Sequence, residues 1–249
     1  MKQTATMGKN QTGTASSEGR CEAMTSGMER FAPTSHGAGS AAGTVRVAYA
    51  KEGSADGQRG VGSVPPPAEL KGIAKTALKA ARGDKPTLLM DKLGERLAFE
   101  RTGTRLYEAL VSKHEAYGSY DGGPSRRDIL DIMNEEHEHF LLLEQTIEEM
   151  SGDPTAVTPS ADVAATAAEG VMRVVTDPRT TLVQSLEAIL IAELTDNDSW
   201  ASLIELARDG GESEVAQRFE AARRTEEEHL YKVRSWLQAG YGVGARAAE

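Results

Sequence analysis

A chain of 249 residues with one cysteine and a formal net charge of −10 has room for one or two domains, but not for a disulfide framework or a four-thiolate metal site. Its 38 acids against 28 bases oppose nucleic acid as the main partner, because phosphate binding needs a basic face. No run of about eighteen apolar residues occurs, so no membrane span is expected. The polar start MKQTATMGKNQTGTASS is unlike a secretory signal, and the lone Cys21 fits a reducing compartment; a cytoplasmic protein is expected.

The first 63 residues hold eleven of the 25 glycines, mixed with Ser, Thr and Ala, and their large apolar residues show no period. Such a segment buries too little apolar surface to offset its ordering entropy, so residues 1–63 read as a disordered tail. Its seven bases and five acids leave the rest of the chain at −12. Pro65, Pro66 and Pro67 suit the opening of a short amphipathic helix within 64–86. Leu70, Ile73, Ala77 and Ala81 form its apolar side, with Gly83 as C-cap. Lys71, Lys75 and Lys79 form a basic side, read as a solvated face.

Four long helices are expected over 87–117, 125–150, 179–208 and 212–239. Gly122, Gly123 and Pro124 part the first two, and Ser125 with Asp128 makes a capping box. Gly210 and Gly211 turn the chain between the last two, and Gly240 ends the fourth. About 28 residues rich in Ala and Thr link the second helix to the third, with a short helix near 164–175. Short links make antiparallel neighbours and a long one makes a crossover. The pattern is an all-α four-helix bundle over 87–240 with one long crossover, followed by a flexible end over 241–249.

Each long helix carries one apolar stripe, and each stripe is interrupted near its middle by a carboxylate. The first reads Leu93, Leu97, Glu100, Thr104, Tyr107, Val111. The second reads Ile129, Ile132, Glu136, His139, Leu143, Ile147. The third reads Leu182, Leu186, Ile189, Glu193, Trp200, Ile204. The fourth reads Val215, Phe219, Ala222, Glu226, His229, Val233, Trp236. In the second and fourth a histidine follows the glutamate by one turn on the same face. Burying an ionised carboxylate costs several kcal/mol even after relaxation, and four at one level repel one another. Two divalent cations balance four such charges, with the imidazoles as neutral ligands. One Glu from each of two helices and Glu-x-x-His from each of the other two is the ligand pattern of dinuclear iron or manganese carboxylate bundles.

An internal repeat supports this pattern. Glu100 precedes Tyr107 by seven residues, as Glu193 precedes Trp200, so the two hairpins read as copies. A lone Glu-x-x-His is common on acidic helix surfaces; two of them on core stripes, matched by two single glutamates, are not. His137, Glu138 and Glu187 fall off the stripes, and His114 lies towards the end of the first as a non-ligand. Asp196 and Asn197, one turn after Glu193, read as helix surface.

With those residues in place, the chain resembles the ferritin-like superfamily, and most closely the rubrerythrin-type domain. The matching stretches are FERTGTRLYEAL, MNEEHEHFLLLE, LIAELTDNDSW and RRTEEEHLYKVRSWL, within residues 88–239. The resemblance implies that Glu100, Glu136, His139, Glu193, Glu226 and His229 are metal ligands. It also implies that Tyr107, the one residue assigned to the chemistry itself, donates a hydrogen bond to them. The four-cysteine rubredoxin module of full rubrerythrins is absent from these 249 residues. Nine residues follow Gly240, fewer than the fifth helix of cage-forming ferritins needs, so no large iron core is expected.

Oxygen ligands with two imidazoles suit iron or manganese. The leading expectation is two iron ions in a protein that oxidises Fe(II) or reduces peroxide, in iron handling or oxidative-stress defence. Its partners would be the metal ions and O₂ or H₂O₂, with a homodimer as the assembly. Two manganese ions fit the same donors and would make a catalase. A stress or scaffold protein with a structural metal site is the remaining alternative.

Overall fold

The computed structural model describes residues 62–65, 67 and 86–242. The expected tail, the amphipathic helix with its lysine face and the last residues lie otherwise outside the described residues. Among the described residues there are five helices and no strand: α1 Pro86–Tyr117, α2 Arg126–Glu149, α3 Pro159–Thr176, α4 Leu182–Asp209 and α5 Ser213–Gly240. No helix among them is long and apolar enough to cross a membrane.

Local signals set the helix starts. Ser125 and Asp128 form the expected reciprocal capping box of α2, satisfying backbone donors that the first turn leaves open. Thr181 and Gln184 form another at α4, which places its start three residues after the expected one. Gly211 turns the chain between α4 and α5 at φ 72°, a left-handed conformation that glycine adopts without a Cβ penalty.

α1 and α2 form one hairpin and α4 and α5 the other, and α1 packs on α4. α2 and α5, the two helices with Glu-x-x-His, make few close approaches. Their side chains fill the interval. The core splits into two apolar clusters. One gathers Leu106, Leu110, Ile129, Ile132, Leu186, Ile189 and Trp236. The other gathers Leu93, Leu143, Ile147, Trp200, Leu203 and Phe219. Between them, at the middle of all four helices, lies a buried polar layer containing Glu100, Glu136, His139, Glu193, Glu226 and His229.

The crossover is more ordered than its composition indicates: α3 spans 18 residues and packs along α1 and α4. It buries only Ala161 and Val175, so its ends carry much of its attachment. At one end, Thr158 Oγ1 accepts from Ala161 N at 3.3 Å and donates to Asp91 O at 3.0 Å. The Asp91 carboxylate accepts from Ser160 N at 2.9 Å and Ser160 Oγ at 2.7 Å. At the other, Lys113 Nζ donates to the carbonyls of Asp177 and Thr180 at 2.5 and 2.9 Å. Ser63 N donates to Val157 O at 2.9 Å, tying the chain before the prolines to the same loop.

Thr158→Val keeps the methyl group and removes both hydroxyl bonds. It should cost about 2 kcal/mol and lower the unfolding midpoint by roughly 4–8 °C, while Thr158→Ser should stay near the parent. Thermal unfolding followed by circular dichroism checks this.

Candidate metal centre

The heptad step brings the predicted side chains to one level. Glu100 of α1, Glu136 and His139 of α2, Glu193 of α4, and Glu226 and His229 of α5 are each at most 7% exposed. Ligand atoms of Glu100, His139 and Glu226 lie within 4.8 Å of one another, as do those of Glu136, Glu193 and His229. A third such group joins Glu100, Glu136, Glu226 and Asp196. All six predicted ligands therefore meet in one layer, as two triads.

The histidines aim their Nδ1 atoms into the layer. His229 Nδ1 lies 3.1 Å from Glu226 Oε2 and 3.5 Å from Glu136 Oε1. Its Nε2 lies 2.8 Å from Glu135 Oε2, a partly exposed carboxylate that orients the ring from behind. His139 Nδ1 lies 2.5 Å from Glu226 Oε1 and 3.9 Å from Glu100 Oε2, and its ring meets Trp200 edge-on at 5.7 Å. Tyr107 O–H donates to Glu193 Oε1, the contact expected of it. Asn197 Nδ2 donates to the main-chain carbonyls of Glu193 and Glu226 at 3.0 and 3.1 Å, stitching α4 to α5 at the layer.

Four residues that the sequence reading misplaced or passed over belong to this layer. Asp196, expected on the surface, is 2% exposed and pairs with Arg96, itself 2% exposed. Arg96 Nη2 also donates to Glu100 Oε1 at 2.8 Å, and its guanidinium lies 4.3 Å from the Phe99 ring. Asn197 is half-buried rather than exposed. On α1 the core position is Gly103 instead of Thr104, because a Cβ at 103 would run into Glu136 Oε2. A signal for the first two was present. Strict alternation of steps of three and four runs Leu93, Arg96, Glu100, Gly103, Tyr107, Leu110 on α1. On α4 it runs Leu186, Ile189, Glu193, Asp196, Trp200, Leu203.

Burial sets the electrostatics. It pushes the Glu100, Glu136, Glu193 and Glu226 carboxyls above their ordinary range, Glu193 to about 8. The negative neighbours Asp196 and Glu136 add to the rise at Glu226. Burial lowers His139 to about 4. Burial opposes the charge on His229 too, but hydrogen bonds that its ring donates to Glu135, Glu136 and Glu226 outweigh it and hold that ring well above its ordinary value. Burial and then the facing Glu193 carboxylate push the Tyr107 hydroxyl up, so it stays a proton donor.

A divalent cation fits this donor set. Glu100 Oε2, Glu136 Oε2 and Glu193 Oε2 are buried without a hydrogen-bond partner among the described residues, and His139 Nδ1 and Glu226 Oε1 face each other at 2.5 Å without hydrogen-bond geometry. A buried polar atom left so is costly, and shared coordination satisfies such atoms together. An all-α bundle with a carboxylate–histidine layer at its centre defines a ferritin-like protein. The rubrerythrin family model matches residues 91–237, and the chain belongs to that family. Neither the curated proteins nor the solved structures give a match. Family membership implies a di-iron carboxylate protein, and the two triads are groups able to bind metal.

Two outcomes follow for the metal centre. In chelator-treated protein, the raised carboxyls hold more protons folded than unfolded, so stability should fall as pH rises from about 5 and go on falling past the value of about 8 to which Glu193 is raised. His229 acts in the same direction above its ordinary value. His139, lowered to about 4, acts oppositely below about 6.5 and is outnumbered. Added divalent metal should reverse the slope, because ligands bind deprotonated; unfolding midpoints across pH, with and without metal, test the sign. Gly103→Ala should displace the Glu136 carboxylate, so metal should be lost to a competing chelator about 10- to 100-fold more readily while helicity is kept.

Proposed function

We propose that this chain is a dinuclear iron protein that oxidises Fe(II) or reduces hydrogen peroxide. Its metal ligands are Glu100, Glu136, His139, Glu193, Glu226 and His229, and Tyr107 is a hydrogen-bond donor at the centre. The observation that carries this reading is the convergence of two Glu-x-x-His pairs and two single glutamates in one buried layer, with unpartnered ligand atoms facing one another.

A pair of ferrous ions held by Glu100, Glu136, His139, Glu193, Glu226 and His229 would supply the two electrons that reducing H₂O₂ to two hydroxides requires. The protein's own residues prepare the setting. Tyr107 keeps one Glu193 oxygen fixed. Glu135 holds the far nitrogen of His229, so the Nδ1 atom is the one presented to metal. The apolar clusters on both sides exclude bulk water and strengthen every charge interaction between them. The −12 charge of residues 64–249 favours the approach of cations. Fe(II) as a substrate brings its own electrons, so this chemistry needs no thiol relay within the chain.

Purified protein should carry about two metal ions per chain. Glu136→Ala and His139→Ala should each leave at most one tightly held ion, and Glu138→Ala should change nothing. Iron-loaded protein should oxidise Fe(II) faster than buffer with O₂ or H₂O₂, and Glu136→Ala should abolish the excess. Rapid O₂ evolution from peroxide with manganese, without Fe(II) oxidation, would replace this reading with a manganese catalase. Metal bound with neither activity would make the site structural.

A further inference from the structure

Within the buried layer the two hairpins repeat each other except at one charge pair. The repeat that aligns Glu100 with Glu193 and Tyr107 with Trp200 also aligns Arg96 with Ile189, and Gly103 with Asp196. Arg96 and Asp196 are a charge pair present in one half of the layer and absent from the other. Both are 2% exposed, which is too deep for an incidental surface pair. Formal charge explains why both are present. The layer holds five carboxylates, Glu100, Glu136, Glu193, Asp196 and Glu226, and one guanidinium. With neutral imidazoles, two divalent ions bring that set to zero.

Arg96 does not serve the two triads equally. Its Nη2 bonds Glu100 Oε1 at 2.8 Å and leaves Oε2 unpartnered, so it places a fixed positive charge on a carboxylate of the Glu100–His139–Glu226 triad. In the Glu136–Glu193–His229 triad the corresponding carboxylate, Glu193, accepts from the neutral Tyr107 hydroxyl, which brings no competing charge. The histidines differ in the same sense: Glu135 fixes His229 from behind, whereas His139 presents its ring edge to Trp200. The guanidinium is tethered beside its carboxylates.

From these contacts we infer that Arg96 is a built-in competitor for one ion, so the centre fills in two unequal steps, the weaker at the Glu100–His139–Glu226 triad. The inference rests on the dinuclear reading above. Arg96 has somewhere to go when that ion arrives. A groove of about 300 Å³ between α1 and α4 is lined by Arg96 with Glu95, Asp198, Ser199 and Ser202. The guanidinium can therefore leave Glu100 and stay on Asp196. The weakly held ion is the exchangeable one, and the Glu136–Glu193–His229 ion is the resident one.

The test is stepwise addition of Co(II) to metal-free protein, read by visible absorption and by quenching of Trp200 in a Trp236→Phe background. Trp200 lies 5.7 Å from both His139 and the Arg96 guanidinium, so it reports the weaker triad. The parent should show two steps, with Trp200 responding in the second. Arg96→Met should tighten the second step by about 10- to 100-fold and leave the first unchanged. Asp196→Asn should weaken the second, since Arg96 then rests on Glu100 alone. The double variant Arg96→Met/Asp196→Asn removes both charges together and should still show the tightened second step, which covers a fold lost to one unpaired buried charge. Glu193→Gln should remove the first step. Two ions entering in one indistinguishable step, or a second step unmoved in the double variant, would overturn the inference while leaving two-metal binding intact. Binding of no Co(II) at all would instead remove the dinuclear reading.

Discussion

Everything in this bundle is arranged around carboxylates held away from water at one level. Hydrophobic burial favours closing the four helices along their full length, while the polar layer resists closure at its middle. The structure meets both demands by splitting the apolar core into two clusters and confining charge to the plane between them. That plane is tolerable only with compensating positive charge. The raised carboxyls, the histidine contacts and the Arg96 pair are three partial answers by the polypeptide itself. Metal is the answer that would satisfy the unpartnered carboxylate oxygens and His139 Nδ1 together.

The same constraint explains the reach of small details. Gly103 lacks a side chain so that Glu136 can lie across α1. Asn197 uses its amide to fasten two main-chain carbonyls where α4 and α5 pass the layer. Glu135 stands at the protein surface, yet fixes the orientation of a fully buried ring. The crossover helix has a thin apolar face, but its anchors on Asp91 and Lys113 clamp α1 on both sides of Glu100. Each fixes a ligand by fixing what the ligand leans on, so the centre is set by backbone geometry more than by its own side chains.

The main elements of the bundle and all six members of the carboxylate–histidine layer are legible in the sequence, because a carboxylate in the middle of an apolar stripe is a local contradiction that a single helix displays by itself. Tyr107 has its place on the stripe of the first helix, but its role as a hydrogen-bond donor is legible only through the family likeness. Arg96 and Asp196 are harder to see. The alternation of steps passes through both, but on α1 a second alternation through Leu97 and Thr104 fits equally well, and their meeting across α1 and α4 decides between them. The choice between Gly103 and Thr104 turns on a few degrees of helix rotation, which hydrophobic spacing does not resolve when a glycine holds the core position. The extent of α3 is obscured for a related reason: a helix that buries two residues leaves almost no apolar period to read.

The Arg96–Asp196 pair also bears on how such a centre changes over generations. A layer with Ile189 and Gly103 in one half and Arg96 and Asp196 in the other came from, or leads to, a more symmetric layer only by altering two positions a hundred residues apart. Either change alone strands a charge in the core, at a cost of about 3–5 kcal/mol, a large share of what a domain has to lose. The two positions are therefore bound to one another in descent. A lineage crosses between the charged and uncharged forms through a weakened intermediate, or one rescued by its metal, and the ions that the layer holds decide which sequences are accessible to it.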